Sequence, residues 1–307
     1  MNWSNKNGAL SLLGIVLLAI VVTPARIFLD PGNLTDILRQ VSVTGIVALA
    51  MTFVILTAGI DLSVGSTLAL ATSVVAMELT KPNGSMAVAI LIALAGAAAV
   101  GAINGACVAL LKIQPFVVTL ATMIGIRGLA KWLTGNANID IGFGRDVAAR
   151  FAESLRTKAV VIGTWGVLAV VFWLILQRTV FGRNVRAVGD NELAARYAGL
   201  PILSVKIWVY TLAGLSAGIA GVLYAAENHQ GNPNAGVAYE LDAIAAVVIG
   251  GTRLAGGSGS IGGTIVGTLT IGVLTNMLRL NNVDSNVEMM LKAIIIVLAV
   301  TLQKRSN

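Results

Sequence analysis

Charge is scarce in this chain. Asp, Glu, Lys and Arg make up 11% of its 307 residues, where a soluble domain carries roughly 25%. That shortage excludes a soluble globule and leaves little sequence for a separate soluble domain. Cysteine occurs once, as Cys107 inside an apolar run, so no intrachain disulfide is available. Histidine also occurs once, as His229, and alone it builds no His-based metal site. Aromatic residues are few, 5% of the chain, and offer no clear stacking platform for a ring-shaped ligand. No apolar run has a charged centre. Since a charge at the bilayer midplane costs roughly 2.5–3.5 kcal/mol on insertion scales, coupled ion pathways usually reveal themselves there. Their absence argues against ion-coupled secondary transport, against a channel lined by charged rings and against a charged substrate. No H-E-x-x-H or paired-aspartate motif is present, which leaves an intramembrane enzyme without those residues.

Apolar sequence dominates instead, with 56% hydrophobic residues and a mean hydropathy of +0.86. Runs of roughly 20 such residues cross a ~30 Å hydrocarbon core. Nine long or moderate runs read as spans: Gly8–Phe28, Val41–Ile60, Leu62–Met77, Met86–Leu111, Phe116–Leu133, Ala159–Leu176, Ile207–Ala226, Leu254–Leu278 and Val287–Leu302. The first lacks an A-x-A cleavage pattern and reads as a retained span rather than a signal peptide. Ala243–Thr252 adds a short tenth. The expected fold is an all-α polytopic membrane protein of about ten helices, with both termini on one side. The net charge of +7 then reflects loop lysines and arginines near anionic lipid rather than a nucleic-acid partner. Basic residues number five in 177–206 and four in 135–158. Lys6, with Lys304 and Arg305, tips the balance towards cytoplasmic termini.

Two stretches share a character. Thr57–Ser66 reads TAGIDLSVGS and Ile249–Ser260 reads IGGTRLAGGSGS. Each follows an apolar run, holds one charge among glycines and serines, and leads into another span. Gly-interrupted segments at matching positions point to two pseudo-repeated halves with glycine-broken helices near a central pathway. Thr57, Gly59, Asp61, Ser63, Gly65, Ser66 and Arg253 are the candidate pathway or gate residues, with Asp61 and Arg253 holding an inner gate. Thr52, Thr72 and Asn104 are further polar groups in the spans, although serines and threonines there often satisfy their own helix carbonyls. Small-xxx-small spacings at Gly101/Gly105, Gly214/Gly218 and Gly263/Gly267 predict close helix contacts.

Two nucleotide motifs appear in form only. Gly257–Gly262 (GSGSIG) matches G-x-G-x-x-G, but apolar spans flank it where a βαβ unit is required. Gly251–Ser258 (GTRLAGGS) resembles a phosphate loop with Gly257 in the lysine's place. The chain therefore holds no means of hydrolysing ATP by itself.

The polar run Gln177–Lys206 stands alone between two spans. Within it, Asp190–Tyr197 is helix-like, with Asp190 or Asn191 as cap and Glu192 in the first turn, and Gly199 and Pro201 end it. A short helix across a membrane face is a plausible docking element.

These stretches resemble a known family. Met51–Ser66, Gln114–Thr122 (QPFVVTLAT), Gly182–Pro201 (GRNVRAVGDNELAARYAGLP), Tyr239–Gly257 (YELDAIAAVVIGGTRLAGG) and Gly259–Thr264 are similar, in the same order, to the permease subunits of bacterial sugar-importing ABC transporters, the ribose-permease branch. The resemblance implies one permease domain over 1–307 in the bacterial inner membrane. It implies a periplasmic segment at 135–158 and a cytoplasmic coupling loop at 177–206. The implied partners are a second permease copy or paralogue, a periplasmic sugar-binding protein and a separate ATPase that binds ATP and Mg; the chain itself would bind no cofactor. Carried over by position, the coupling residues are Arg183, Asn184, Arg186, Asp190, Asn191, Glu192, Ala194, Ala195, Arg196, Gly199 and Pro201. On this reading small side chains at Ala194, Ala195 and Gly199 permit close docking, while Arg183, Arg186 and Arg196 pair with ATPase carboxylates. The implied substrate is a neutral monosaccharide, pentose or hexose, with a furanosyl signalling compound as a variant. The alternative is a stand-alone facilitator or secondary transporter for a small neutral solute.

Overall fold

A computed structural model describes residues 3–142, 146–284, 286–291 and 293–294, with the backbone alone for residues 3–10. Helices in order are α1 (Trp3–Val22), α2 (Ala25–Phe28), α3 (Pro31–Leu56), α4 (Val64–Leu79), α5 (Met86–Leu110), α6 (Pro115–Leu133), α7 (Val147–Leu155), α8 (Lys158–Arg178), α9 (Val180–Asp190), α10 (Glu192–Tyr197), α11 (Ile202–Asn228), α12 (Tyr239–Ile249) and α13 (Ile261–Leu280). Residues 286–291 and 293–294 are also helical. The expected last span, Val287–Leu302, lies mostly outside the described residues, as do Lys292, Lys304 and Arg305. The protein is an all-α polytopic membrane protein.

Side chains cap six of the thirteen helices. Asp30 accepts from Asn33 N at 3.2 Å ahead of Pro31, which begins α3. Asp146 accepts from Ala149 N at 2.8 Å and starts α7. Ser260 accepts from Gly263 N at 3.1 Å and starts α13.

Among the described residues, six helices are long and apolar enough to cross a membrane: α3, α5, α6, α8, α11 and α13. In α3, α11 and α13, 78%, 61% and 72% of the apolar window is buried, against 28% or less in α5, α6 and α8. The first three therefore form the centre, and the others offer their apolar faces to lipid. The glycine spacings mark close crossings. A Cβ on Gly214 would press on the Ala97 carbonyl of α5 and lie 3.0 Å from Gly101 N, and one on Gly105 would lie 2.6 Å from Ile207 Cα. A Cβ on Gly267 would strike the Ala246 carbonyl of α12. Backbones meet here because no side chain intervenes.

One expected span is not a span. α12 has 11 residues, about 16 Å at 1.5 Å per residue, roughly half the hydrocarbon thickness. The polar segment before it folds back into the bundle instead of lying in water. Asn232 N donates to Thr72 Oγ1 midway along α4, and Thr72 Oγ1 donates to Asn232 O, each at 3.1 Å. Arg127 of α6 donates through Nη1 to the carbonyls of Pro233 and Ala235 at 3.0 and 2.5 Å. Irregular backbone at this depth survives only where protein satisfies it.

At the rim beside this segment, β1 (Ile139–Asp140) pairs antiparallel with β2 (Gln230–Gly231). Arg39 pairs with Glu227 at 2.8 Å and Lys158 with Asp36 at 2.7 Å. Glu288 is 6% exposed, accepts from Thr275 Oγ1 at 3.0 Å and lies 3.6 Å from Arg279 Nε.

Candidate functional site

At the opposite end of the bundle, three segments distant in sequence converge. The first is α9–α10. Thr179 caps α9 by accepting from Gly182 N at 3.2 Å, and α9 buries Gly182, Val185 and Val188 while Arg183 faces out. Asn191, the single residue between the helices, caps α10 by accepting from Ala194 N at 2.9 Å. Gly199 follows at φ 74°, a left-handed position that glycine fills at little cost. Leu200 N then donates to Ala195 O at 3.0 Å, and Pro201 leads into α11.

Glu192 fastens α10 to α11, accepting from Lys206 Nζ at 2.7 Å, with Arg196 3.4 Å away on its other oxygen. Arg196 is thus held within α10, and Arg186 is half-buried. Among the arginines expected to reach a partner, Arg183 and Arg196 are exposed. Asn184 is half-buried, whereas Asp190 and Ala194 are exposed.

Two expectations for this loop change. Ala195 is buried and packs inward, so it is no docking residue. Gly199 owes its identity to its backbone angle, since a Cβ there would meet nothing within 4 Å. The outward surface belongs to two residues that sequence reasoning missed, Leu193 and Tyr197, which are 60% and 84% exposed. Four apart, they share one face of α10. An apolar i, i+4 pair inside a polar loop is the signal that would have found them.

The second and third segments are the glycine turns, α3 to α4 and α12 to α13. They touch: Gly257 N donates to the Leu56 carbonyl at 2.9 Å. α9 closes on both. A Cβ on Gly189 would overlap the Leu56 carbonyl oxygen and lie 2.7 Å from Gly257 N. One on Gly256 would lie 2.7 Å from Gly189 O and 3.0 Å from Ala58 N. Gly256 and Gly257 sit at φ 91° and 74°.

Asp61 and Arg253 sit in different surroundings. Arg253 is exposed in its turn, while Asp61 is 1% exposed. Asp61 Oδ1 accepts from Ser63 N and Oγ at 2.9 and 2.6 Å, and Oδ2 has no partner. Ser63 Oγ accepts from Asn104 Nδ2 at 2.9 Å, and Asn104 Oδ1 accepts from Thr122 Oγ1 at 2.6 Å. This chain ties the first turn to α5 and α6. The remaining pathway candidates are spent on packing. Thr57 and Ser66 bond the carbonyls of Val54 and Ser63, each at 2.8 Å. Gly59 leaves room for the Tyr210 hydroxyl, and Gly65 for the Gly236 backbone and the Glu240 carboxylate. These groups are buried inside the chain. Thr52 and Thr264 share a hydrogen bond at 2.7 Å and clamp α3 to α13.

Comparison with known proteins agrees with this architecture. The ribose import permease protein RbsC of Escherichia coli K12 is 43% identical over 297 residues, covering 95% of this chain and 92% of that protein. RbsC of Bacillus subtilis is 41% identical over 301 residues, 96% and 92% of the two chains. The L-arabinose ABC transporter permease protein AraH of Azospirillum brasilense is 35% identical over 307 residues, 96% and 86%. No solved structure matches the chain. Residues 33–300 match the family described as branched-chain amino acid transport system / permease component, and with coverage and identity of this order the chain belongs to that family of permeases.

Proposed function

We propose that the chain is the membrane permease subunit of an ABC importer for a neutral monosaccharide, of the ribose class, in the bacterial inner membrane. One observation carries this reading: α10 projects Leu193 and Tyr197 from a loop that is braced by Glu192–Lys206 and seated on both glycine turns. An exposed apolar pair on a braced helix is built to enter a cleft of another protein.

That partner is an ATPase subunit, which binds ATP and Mg and supplies the energy that this chain has no lysine-bearing phosphate loop to obtain. The docking end faces the cytoplasm and so do both termini, which sets the 135–158 segment and the re-entrant rim on the periplasmic side to receive a sugar-binding protein. Sugar specificity follows the relatives, three of which are named for ribose or arabinose. It also fits the absence of charged centres in the described spans. A cavity between α3, α12 and α13, lined by Gln40, Thr44, Asp242 and Thr268, measures about 40 Å³. At ~15 Å³ per water centre it accommodates a few waters and no sugar ring. That cavity is not the sugar's path, and we place the path between two permease copies.

Affinity purification from the native membrane in mild detergent tests the proposal. A Walker-motif ATPase should accompany the wild-type chain and be lost when Asp190–Leu200 is replaced by a Gly/Ser linker. A folded chain that brings no ATPase yet moves labelled ribose in vesicles would make it a facilitator.

A further inference from the structure

We infer that Gly189 is the contact through which the docking element drives both glycine turns, so that α9, the end of α3 and the 253–257 turn move as one body. This deepens the reading of α10 as the ATPase-docking element and rests on it. Only Asn191 separates α10 from α9, so a displacement of α10 reaches the end of α9 almost undiminished. There Gly189 meets the Leu56 carbonyl and Gly257 N with no side chain between, and Gly257 N is itself bonded to that carbonyl at 2.9 Å. Contacts between backbones cannot be absorbed by rotamer changes; packed interiors pass displacement on as rigid shifts. Leu56 ends α3, and Gly257 lies three residues before the Ser260 cap of α13. The Thr52–Thr264 bond joins those two central helices one level deeper. One push at Gly189 therefore acts on two helices. Nothing in the sequence of the loop singles out Gly189; its identity follows from what it touches. It is a positioning residue.

The test uses the importer assembled from this chain, the ATPase that co-purifies with it and the binding protein, reconstituted in vesicles with labelled ribose as probe. Gly189→Ala adds one methyl at the junction. The variant should retain the ATPase subunit and basal ATP hydrolysis, while uptake and the stimulation of hydrolysis by loaded binding protein fall at least about tenfold, within the range of ordinary coupling energies. A merely structural role would lower assembled complex and both activities together. Uptake within about twofold of wild type, or loss of the ATPase from the complex, would overturn the inference. A second arm does not depend on that variant folding. A Cβ on Gly257 lies 3.1 Å from Asp190 Cβ, a few tenths of an ångström short of a usual disulfide separation of about 3.5–4.5 Å. Asp190→Cys with Gly257→Cys, in a Cys107→Ser background, is folded reduced and then oxidised. A junction that moves as one body keeps, when cross-linked, the uptake of the same variant in its reduced form. Uptake blocked by oxidation and restored by reductant would mean that α9 slides over the turns, and the inference would fail. Retention of the ATPase in both arms separates this question from the docking reading, which the linker replacement tests.

Discussion

Asp61 keeps a carboxylate where water does not reach, and its neighbours explain how. Ser63 gives it two hydrogen bonds and passes the connection on to Asn104 and Thr122. Asn can accept both bonds as well as Asp can, so Asp61→Asn should keep uptake. Asp61→Ala strands the Ser63 amide and should cost about 1–3 kcal/mol, read as a lower melting temperature of the purified protein. Arg253→Ala, at the surface, should lower the melting temperature less in the same assay, because its exposed surroundings leave no dry group stranded. Equal effects of the two alanine changes would contradict the separation of these residues. The sequence pointed to both because each is a lone charge among glycines. It could not tell them apart, because inside and outside a turn differ by tertiary contacts alone. The same holds for Gly199 and Gly189: one serves a backbone angle, the other a close approach, and the letter is identical.

Among the elements, α10 was legible as a helix from its Asn191 cap and Gly199 stop, but its working face was not. Small residues suggested close docking, whereas the fold turns Ala195 inward and Leu193 and Tyr197 outward. Leu193→Asp with Tyr197→Asp should leave the chain folded and abolish co-purification of the ATPase; retention of the partner would remove these residues from the interface. The re-entrant segment escaped the sequence reading for a related reason. Glu227–Glu240 is polar, and polar sequence defaults to water. Its clue was Arg127, a guanidinium in an otherwise apolar helix, whose Nη1 holds two backbone carbonyls. Arg127→Met should cost about 2–3 kcal/mol in thermal unfolding of the purified protein, since those carbonyls then lose their donor. An unchanged melting temperature would show that the segment is held by other contacts.

For the whole molecule, hydropathy gave the long spans, and the glycine spacings marked where helices cross, because both signals are local in sequence. Which helices form the centre was not local. α5 and α8 are the most apolar of the six, yet both are peripheral, whereas the less apolar α3 is the most buried. In a bilayer an apolar surface is no reason for burial, so greasiness does not predict depth. Leu91→Trp, on the open face of α5, should leave folded yield unchanged. Ala97→Trp, where α5 meets Gly214 and Gly218, should abolish it. Size-exclusion profiles in detergent distinguish the two.

The re-entrant hold on α12 also bears on how the chain is made. Eleven residues cannot partition into lipid as an independent hydrophobic stop, and the polar stretch ahead of them is repelled by it. The groups that receive that stretch, Thr72 and Arg127, lie earlier in the chain and emerge from the ribosome first. α12 must then be drawn in by a pocket already assembled from α4 and α6, which makes its integration a late, chaperone-like step guided by the protein's own earlier half. A reporter fused after Ile249 would read membrane integration in the full-length order and lose it when α4–α6 are deleted from the nascent chain.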